Sequence, residues 1–462
     1  PPPARTPTPA QSANGEVLIG AAAVVWRSDV GMLEARVSPS PPRRRGPPAV
    51  NPKDDSRAAR MLDRLVLRGA AAGNAGDLYA NRDRGHSSLA PADHPQLTFV
   101  RFDEAAKAAG VDYGFNDVIL FDAPTISNSS TAIVSGALKR SLPRLAMTDP
   151  GRIARAAALY GANQFHVYPS TQDHDPERGD RFPAATPYML ISQGASGTDR
   201  PFLRAAAMAL AALRPDTKAA LRRAGLVAPT LQMLLRRAMA ADQTDAAYLA
   251  PEAHPSAFEA RRLDFERLVV MANALLPDQI PPAPSLRVLS EPPPAAVGPI
   301  FADGQTETLF STPAAVARIF RAPAPARAYR LGVAASDPSG RPLRFHWRVL
   351  RGDPAQVRLT PLTQDGAVVE VGVSWRDEDV PAPGRDDLAS RRVDVAVFAD
   401  NGANISAPAF FSVLFPPGQS RRIDAAGRVL AIDHRIPPGI WRDADPLLFP
   451  LRDWRDEFLY GD

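Results

Sequence analysis

The chain is predicted to combine a multidomain α/β part, a mainly parallel sheet with helices and a helical tail, with an all-β part, an antiparallel β-sandwich. Three observations predict this. Strand-length apolar runs alternate with helical patterns as far as residue 280. A cluster of eight prolines from Pro277 to Pro299 then interrupts the chain. Beyond it, short runs with a period of two, bounded by Asp, Asn, Gly and Pro, replace the helical pattern.

Residues 1–52 contain eleven prolines, with Arg43, Arg44 and Arg45 set among them, a composition that predicts a largely extended arm. Glu16 to Trp26 is the apolar exception within it and is a candidate strand for the main body. The α/β domain spans 53–280. Leu97–Arg101 reads as a strand, Asp103–Ala109 as a helix and Val118–Phe121 as an apolar strand. Asp149 and Pro150 make a good N-cap and first position for a helix ending near Tyr160. Gln164–Tyr168 and Tyr188–Ser192 follow as strands. Helices are then predicted at Arg200–Leu213, Asp216–Ala224, Pro229–Ala240 and Ser256–Leu276. The last opens on a capping box, Ser256-Ala257-Phe258-Glu259, with Phe258, Phe265, Leu268, Ala272 and Leu275 on one stripe. Residues 281–299 form the proline-rich linker, 300–416 the sandwich and 417–462 a C-terminal extension.

Within the sandwich, Ala334 to Trp347 reads as strand, Asp337-Pro338-Ser339-Gly340 turn and strand, with Leu343, Phe345 and Trp347 alternating onto one face. Val393–Ala399 alternates, Asp400-Asn401-Gly402 turns the chain, and Phe411–Phe415 returns as the last strand. Over residues 327–416 these features resemble the PKD group of immunoglobulin-like β-sandwiches. The Trp-Asp-Phe-Gly-Asp signature frequent in that group is replaced here, since Arg348-Val349-Leu350 follows Trp347, so a general Ig-like sandwich is the alternative. The resemblance implies a setting outside the cytoplasm and contact with proteins or polysaccharides. Trp347 is expected in the core between the sheets.

Composition bounds the chemistry. Of 462 residues, 45% are hydrophobic and 23% charged, as in a soluble globular protein. The 54 basic residues nearly balance the 50 acidic ones and are scattered, apart from Arg43 to Arg45. No nucleic-acid partner is therefore expected. The absence of cysteine excludes thiol catalysis, thiolate metal sites and disulfides. It also fits an extracytoplasmic protein, periplasmic or secreted. No apolar run reaches the ~18 residues of a membrane helix. The chain begins Pro1-Pro2-Pro3, and a removed signal peptide is expected before it.

In an α/β sheet, ligands bind beyond the carboxyl ends of the strands, and three polar segments fall there. The first comprises Asp122 and the run Ser127, Asn128, Ser129, Ser130, Thr131 after the strand ending at Phe121. Its hydroxyls and amides suit either a ligand or a loop that satisfies its own backbone. The second runs from Ser192 to Asp199 through Gly194, Ser196, Gly197 and Thr198. A strand, glycine-rich turn and helix start converge free N–H groups on an anion or oxyanion. Ser196 is a candidate nucleophile, although Thr198 stands where a nucleophile elbow has its second glycine. The bland alternative is a tight turn with Asp199 capping the next helix.

The third segment places Asp173, Asp175, Glu177 and Asp180 within one turn, a hard-oxygen set for calcium. The alternative is a solvated acidic turn in which Arg178 pairs with a neighbour. Separately, Asp83 orienting His86 is the pair a general base requires. Zinc spacings of histidine are absent. The reading is an exported hydrolase acting on a carbohydrate or cell-envelope polymer, with calcium as the possible cofactor and no organic one. The alternatives are a carbohydrate- or cation-binding envelope protein and a structural or adhesive protein.

Overall fold

A computed structural model describes residues 9–20, 23–38, 56–71, 76–83, 85–108, 119–128, 153–170, 185–194, 197–293, 307–377, 380–382, 385–416, 418–435, 453 and 455–460. Five strands lie inside the stretch expected as an extended arm: β1 (Ala10–Ala13), β2 (Glu16–Ile19), β3 (Val24–Arg27), β4 (Met32–Ala35) and β5 (Val37–Ser38). In β2 the apolar residues alternate in burial. Val17 and Ile19 are buried while Leu18 between them is 61% exposed.

Next come β6 (Asp77–Ala80), β7 (Leu97–Phe102), β8 (Ile119–Phe121), β9 (Thr125–Asn128), β10 (Gln164–Ser170) and β11 (Leu190–Gln193). The main sheet has eight strands in the order β11-β10-β9-β6-β7-β2-β1-β5. From β11 to β2 every neighbouring pair is parallel. Parallel strands covered on both faces lose the in-out alternation, and β6 and β9 are accordingly buried at each residue. The expected strand at 118–121 is found over its described residues, Ile119–Phe121, but β8 leaves the main sheet and pairs with β4 in a small sheet of order β3-β4-β8. The place expected for it is taken by β9. Ser127 and Asn128 therefore stand in a central strand and not in a polar loop.

Helices Arg57–Ala71, Arg200–Ala212, Val227–Met239 and Phe265–Ala274 pack on one another, and Val227–Met239 and Arg200–Ala212 reach β10 and β9. The alanine-rich Arg200–Ala212 is buried along its length from Phe202 onward except at Arg204, since small side chains let three helices approach it. The helix expected from Ser256 begins only at Phe265, with Asp264 as the N-cap accepting from Arg267 N at 2.9 Å. Ser256 and Ala257 form a bend instead, and Phe258 makes an isolated bridge to Ser192. Phe258 N donates to Ile191 O and Gln193 N donates to Phe258 O, each at 2.7 Å, so this segment covers the β11 edge.

The C-terminal strands are β12 (Ser285–Ser290), β13 (Thr308–Thr312), β14 (Ala315–Ile319), β15 (Ala326–Ala334), β16 (Arg344–Arg351), β17 (Val357–Pro361), β18 (Val368–Ser374), β19 (Val380–Ala382), β20 (Arg385–Ser390), β21 (Arg392–Asp400) and β22 (Ala409–Leu414). They make one sheet of order β12-β15-β18-β17, one of order β13-β14-β22-β21-β16 and the hairpin β19-β20. Strand β12 lies within the expected linker, and β14 pairs β22 in parallel while the other pairs are antiparallel. Trp347, Val395 and Val397 are buried as expected, and Trp347 Nε1 donates to Gly366 O at 2.8 Å. Phe345 is only half-buried, because it sits near the start of β16 beside the turn at Asp365.

Apolar residues of the helical layer, the parallel sheet and the sandwich join in one core. Tyr188 on the α/β side accepts from Ala314 N at 2.7 Å and shares a 2.8 Å hydrogen bond with the Thr312 hydroxyl. In the extension, β23 (Gln419–Ile423), β24 (Val429–His434) and β25 (Arg455–Glu457) form a further antiparallel sheet. No helix among the described residues is long and apolar enough to cross a membrane.

Candidate functional site

From β6 the chain moves one way to β7, then crosses back to β9 on the other side of β6. Such a reversal opens a crevice at the carboxyl ends of the two strands it separates. The residues there are Asn81 to Asp83 after β6, Asn128 at the end of β9, and the turn after β11 that ends at Asp199.

Asn81 shapes the loop after β6. Its Oδ1 accepts from Asp83 N at 3.0 Å and Gly85 N at 3.1 Å, while its Nδ2 donates to His86 O at 2.8 Å. This is an Asx-type turn, in which a short amide side chain replaces backbone partners. Tyr79 supports it, accepting from Asn81 Nδ2 and from Leu89 N, and burial raises its hydroxyl pKa to about 12, so it stays protonated.

Asn128 ties the strand ends together. Its Oδ1 accepts from Arg82 N at 3.1 Å and its Nδ2 donates to Asp199 Oδ2 at 2.9 Å. Asp199 is wholly buried, and among the described residues its Oδ1 has no hydrogen-bond partner and no cation forms an ion pair with it. Its position just before Arg200–Ala212 is that of an N-cap, yet its backbone is helical and its side chain caps nothing. The carboxylate is turned away from its own helix toward the sheet edge.

Arg82 is the second buried charge. Its Nη2 donates to Ile119 O at 3.2 Å, its Nε and Nη1 have no hydrogen-bond partner among the described residues, and its guanidinium lies 6.0 Å from the Phe121 ring centre. Burial lowers its pKa to about 10, which leaves it cationic at neutral pH. Asn128 thus holds the Asp199 carboxylate and the backbone N–H of Arg82, while the Arg82 guanidinium turns to Ile119 O and no described ion pair joins the two buried charges. Isolated buried charges are costly, and such positions concentrate at functional sites.

The other expected residues are placed as follows. Ser192 is buried and its hydroxyl lies 3.0 Å from the Thr198 hydroxyl. Gly194 has φ of +117°, and a Cβ there would come within 2.5 Å of Thr198 Cγ2, so the turn needs glycine at this point. Gly197 also has positive φ. Ser127 shares a 2.7 Å hydrogen bond with His166 Nδ1, and burial, with Arg82 nearby, drops the His166 pKa to about 3. This imidazole is neutral at physiological pH. His86 Nδ1 stands 3.5 Å from Asp83 Oδ1, with the histidine side chain 71% exposed and the carboxylate buried.

Asp122 is exposed and accepts from Val37 N at 3.0 Å, fastening β5, and no described contact joins it to Asn128 or Asp199. Ser129, Ser196 and the acidic set Asp173, Asp175, Glu177 and Asp180 lie outside the described residues. Among the described residues no group of three or more His, Asp or Glu side chains is placed to hold a metal ion.

Sequence reasoning passed over Arg82 and, within the candidate segment Ser192 to Asp199, gave Asp199 a role of its own only as the helix cap of the bland alternative. One signal for Arg82 was available: it lies between two polar residues directly after Leu78-Tyr79-Ala80, where a strand end faces the crevice.

No family model and no curated protein matches the chain. Among solved structures, tandem Ig repeats of Dlar align with 16% identity over 22% of this chain and 44% of that one, at a TM-score of 0.13. A nucleoside hydrolase-related hypothetical protein from Saccharophagus degradans, associated with carbohydrate metabolism, aligns with 9% identity over 63% of this chain and 71% of that one, at a TM-score of 0.21. Both likenesses are weak, and the chain covers less than half the length of the first.

Proposed function

We propose that the chain is an extracytoplasmic hydrolase that binds a small hydroxyl-rich, carbohydrate-type group at the carboxyl edge of its parallel sheet. One observation carries the reading: the buried Asp199 carboxylate, held by Asn128 through one oxygen, keeps the other without a partner among the described residues. A carboxylate oxygen of that kind is an acceptor for a substrate hydroxyl, and hydrogen bonds to charged groups are the strong ones. The Ser192 and Thr198 hydroxyls lie on the same turn and add groups that both donate and accept.

For the chemistry, His86 beside Asp83 is the proton carrier. In its neutral form it takes a proton from water as the water oxygen attacks the sugar carbon. The bond to the leaving oxygen breaks, and that oxygen gains a proton from the imidazolium or from solvent. Arg82 supplies a fixed positive charge near the site, and its burial makes its field stronger than in water. The sandwich serves in this reading as a PKD-type accessory module that contacts polymer. Thermal-shift and calorimetric titration with mono- and oligosaccharides, with assay of reducing-sugar release, tests the proposal. Asp199→Asn is predicted to weaken both responses about 10–100-fold while leaving the fold intact.

A second reading, binding without catalysis, is favoured by the exposure of His86 and by the neutrality of His166. It predicts saturable sugar binding that depends on Asp199, with no product formed.

A further inference from the structure

A second polar site lies away from the carboxyl edge, where the helical layer meets the sandwich. A cavity there opens about 30 Å³ to the centres of water-sized spheres. One water occupies roughly 10–15 Å³ on such a measure, so the space suits a small ion and not a drug-sized molecule. Arg236 from helix Val227–Met239 and His254 and Ser256 from the segment before Phe258 line one side. Arg351 at the end of β16 and Arg392 and Asp394 at the start of β21 line the other.

Arg236 is the decisive residue. It is 2% exposed, its Nε donates to Gln232 Oε1 at 3.2 Å, and its Nη1 lies 3.2 Å from His254 Nδ1. His254 Nε2 donates to Tyr248 O at 2.5 Å, so its Nδ1 is the acceptor and the ring is neutral. Burial holds the His254 pKa well below the usual range, in agreement. Phe258 and Phe410 flank the guanidinium at 4.9 and 5.8 Å from their ring centres. No carboxylate pairs with it among the described residues, and its pKa of about 10 after burial keeps it charged at neutral pH.

Across the cavity, the one described carboxylate, Asp394, accepts from Arg392 Nε at 2.8 Å and from the Ser412 hydroxyl at 2.6 Å. Ser256 Oγ accepts from Arg351 Nη1 at 3.0 Å and from Arg392 Nη2 at 2.8 Å. With both lone pairs engaged, its hydroxyl hydrogen is left to donate, and it has no acceptor among the described residues. A buried guanidinium without a counter-charge, a hydroxyl donor and two further guanidiniums therefore border one small space. Buried charges are found paired or neutralised, and arginine cannot shed its proton.

We infer that this cavity at the domain junction binds a small oxyanion of the phosphate or sulfate class, held by Arg236 and the Ser256 hydroxyl with Arg351 and Arg392 around it. Fork-shaped guanidinium donors match oxyanion geometry, and an ion held from both sides locks the sandwich onto the helical layer.

The test is calorimetric titration of the full chain with inorganic phosphate, and separately sulfate, against chloride at matched ionic strength, with melting temperature followed in parallel. Saturable heat is expected for phosphate or sulfate, with a melting temperature that rises to a plateau. Arg236→Met is expected to abolish the saturable heat. Ser256→Ala, which keeps all the arginines, is expected to weaken affinity about tenfold and serves if Arg236→Met does not fold. Asp199→Asn is expected to retain the full response. A rise without saturation that is equal in the wild type and in Arg236→Met or Ser256→Ala would mark a general salt effect and overturn the inference. So would loss of the response in Asp199→Asn, which would assign the anion to the other site.

Discussion

Asn128 Nδ2 donates to Asp199 Oδ2 at 2.9 Å across 71 positions of the chain, joining the end of β9 to the turn after β11. Asp199 gives up the capping contact its place before a helix offers, a contact worth about 1 kcal/mol. In exchange its carboxylate ties the start of helix Arg200–Ala212 to β9, and the proposed function reads this break of a local capping rule as the mark of a binding residue.

The core of the sandwich rests on Trp347. Trp347→Ala is expected to cost ~3–5 kcal/mol, since it removes a large buried ring and leaves Gly366 O without its donor. Trp347→Phe keeps most of the volume and should cost less. Urea denaturation at pH 7 checks both, and a loss under ~1 kcal/mol for the alanine variant would place the ring outside the core.

Lys218 and Asp77 form an ion pair in which both side chains are buried, linking helix Pro215–Ala224 to the start of β6. Removing one partner strands the other, so Lys218→Met or Asp77→Leu alone should each cost ~3–5 kcal/mol. The double replacement should recover most of that loss, because apolar pairs of like volume substitute well for buried ion pairs. A double-mutant cycle measures the coupling, and simple additivity would show that the pair contributes nothing as a pair.

His166 sets an acid limit. Its folded pKa of about 3 lies below the unfolded value of about 6.5, so the unfolded chain binds the extra proton between these limits. Above pH 6.5 both states are neutral and the residue adds no pH dependence. As pH falls from about 6.5 toward 3, stability should drop by up to about 1.4 kcal/mol per pH unit for this one group. His94, with a pKa lowered to about 4 by burial, acts in the same direction over a narrower window. Denaturation at pH 7, 6 and 5 should show a shallower slope for His166→Gln than for the wild type, and equal slopes would contradict the neutral, buried assignment.

The start of the last helix of the α/β domain separates two sequence signals. Asp264→Ala should cost about 1 kcal/mol as loss of an N-cap. Ser256→Ala should leave the helix unchanged, because the Ser256 hydroxyl contacts Arg351 and Arg392. Hydrogen exchange at Arg267 and Leu268 distinguishes them. Faster exchange in Ser256→Ala would restore the capping-box reading.

This case shows what the sequence could and could not convey. Strand β7, the helix after it and strand β10 were legible because their apolar periodicity and end signals agreed. Ser256-Ala257-Phe258-Glu259 carries a good local capping signal, but the open edge of β11 recruited Phe258 as a pairing partner, and long-range hydrogen bonds outweighed local preference. Strand β9 was hidden because Thr125 to Asn128 is polar in three of its four residues, and its burial follows from Asp199 and His166 elsewhere in the chain. The polar segments at strand ends were legible. Which side chains meet was not, since Asn128, Arg82 and Asp199 come together only through the crossover order of the sheet.

The central claim is that Asp199 accepts a substrate hydroxyl at the carboxyl edge, and Asp199→Asn tests it most directly because it keeps the shape and removes the charge. Titration of wild type and variant with a panel of mono- and oligosaccharides should show a saturable ligand for the wild type and about 10–100-fold weaker binding for the variant, the loss expected for one hydrogen bond to a charged group. A correctly folded Asp199→Asn protein that binds the same sugar with unchanged affinity, or a wild type that binds no sugar in the panel, would contradict it.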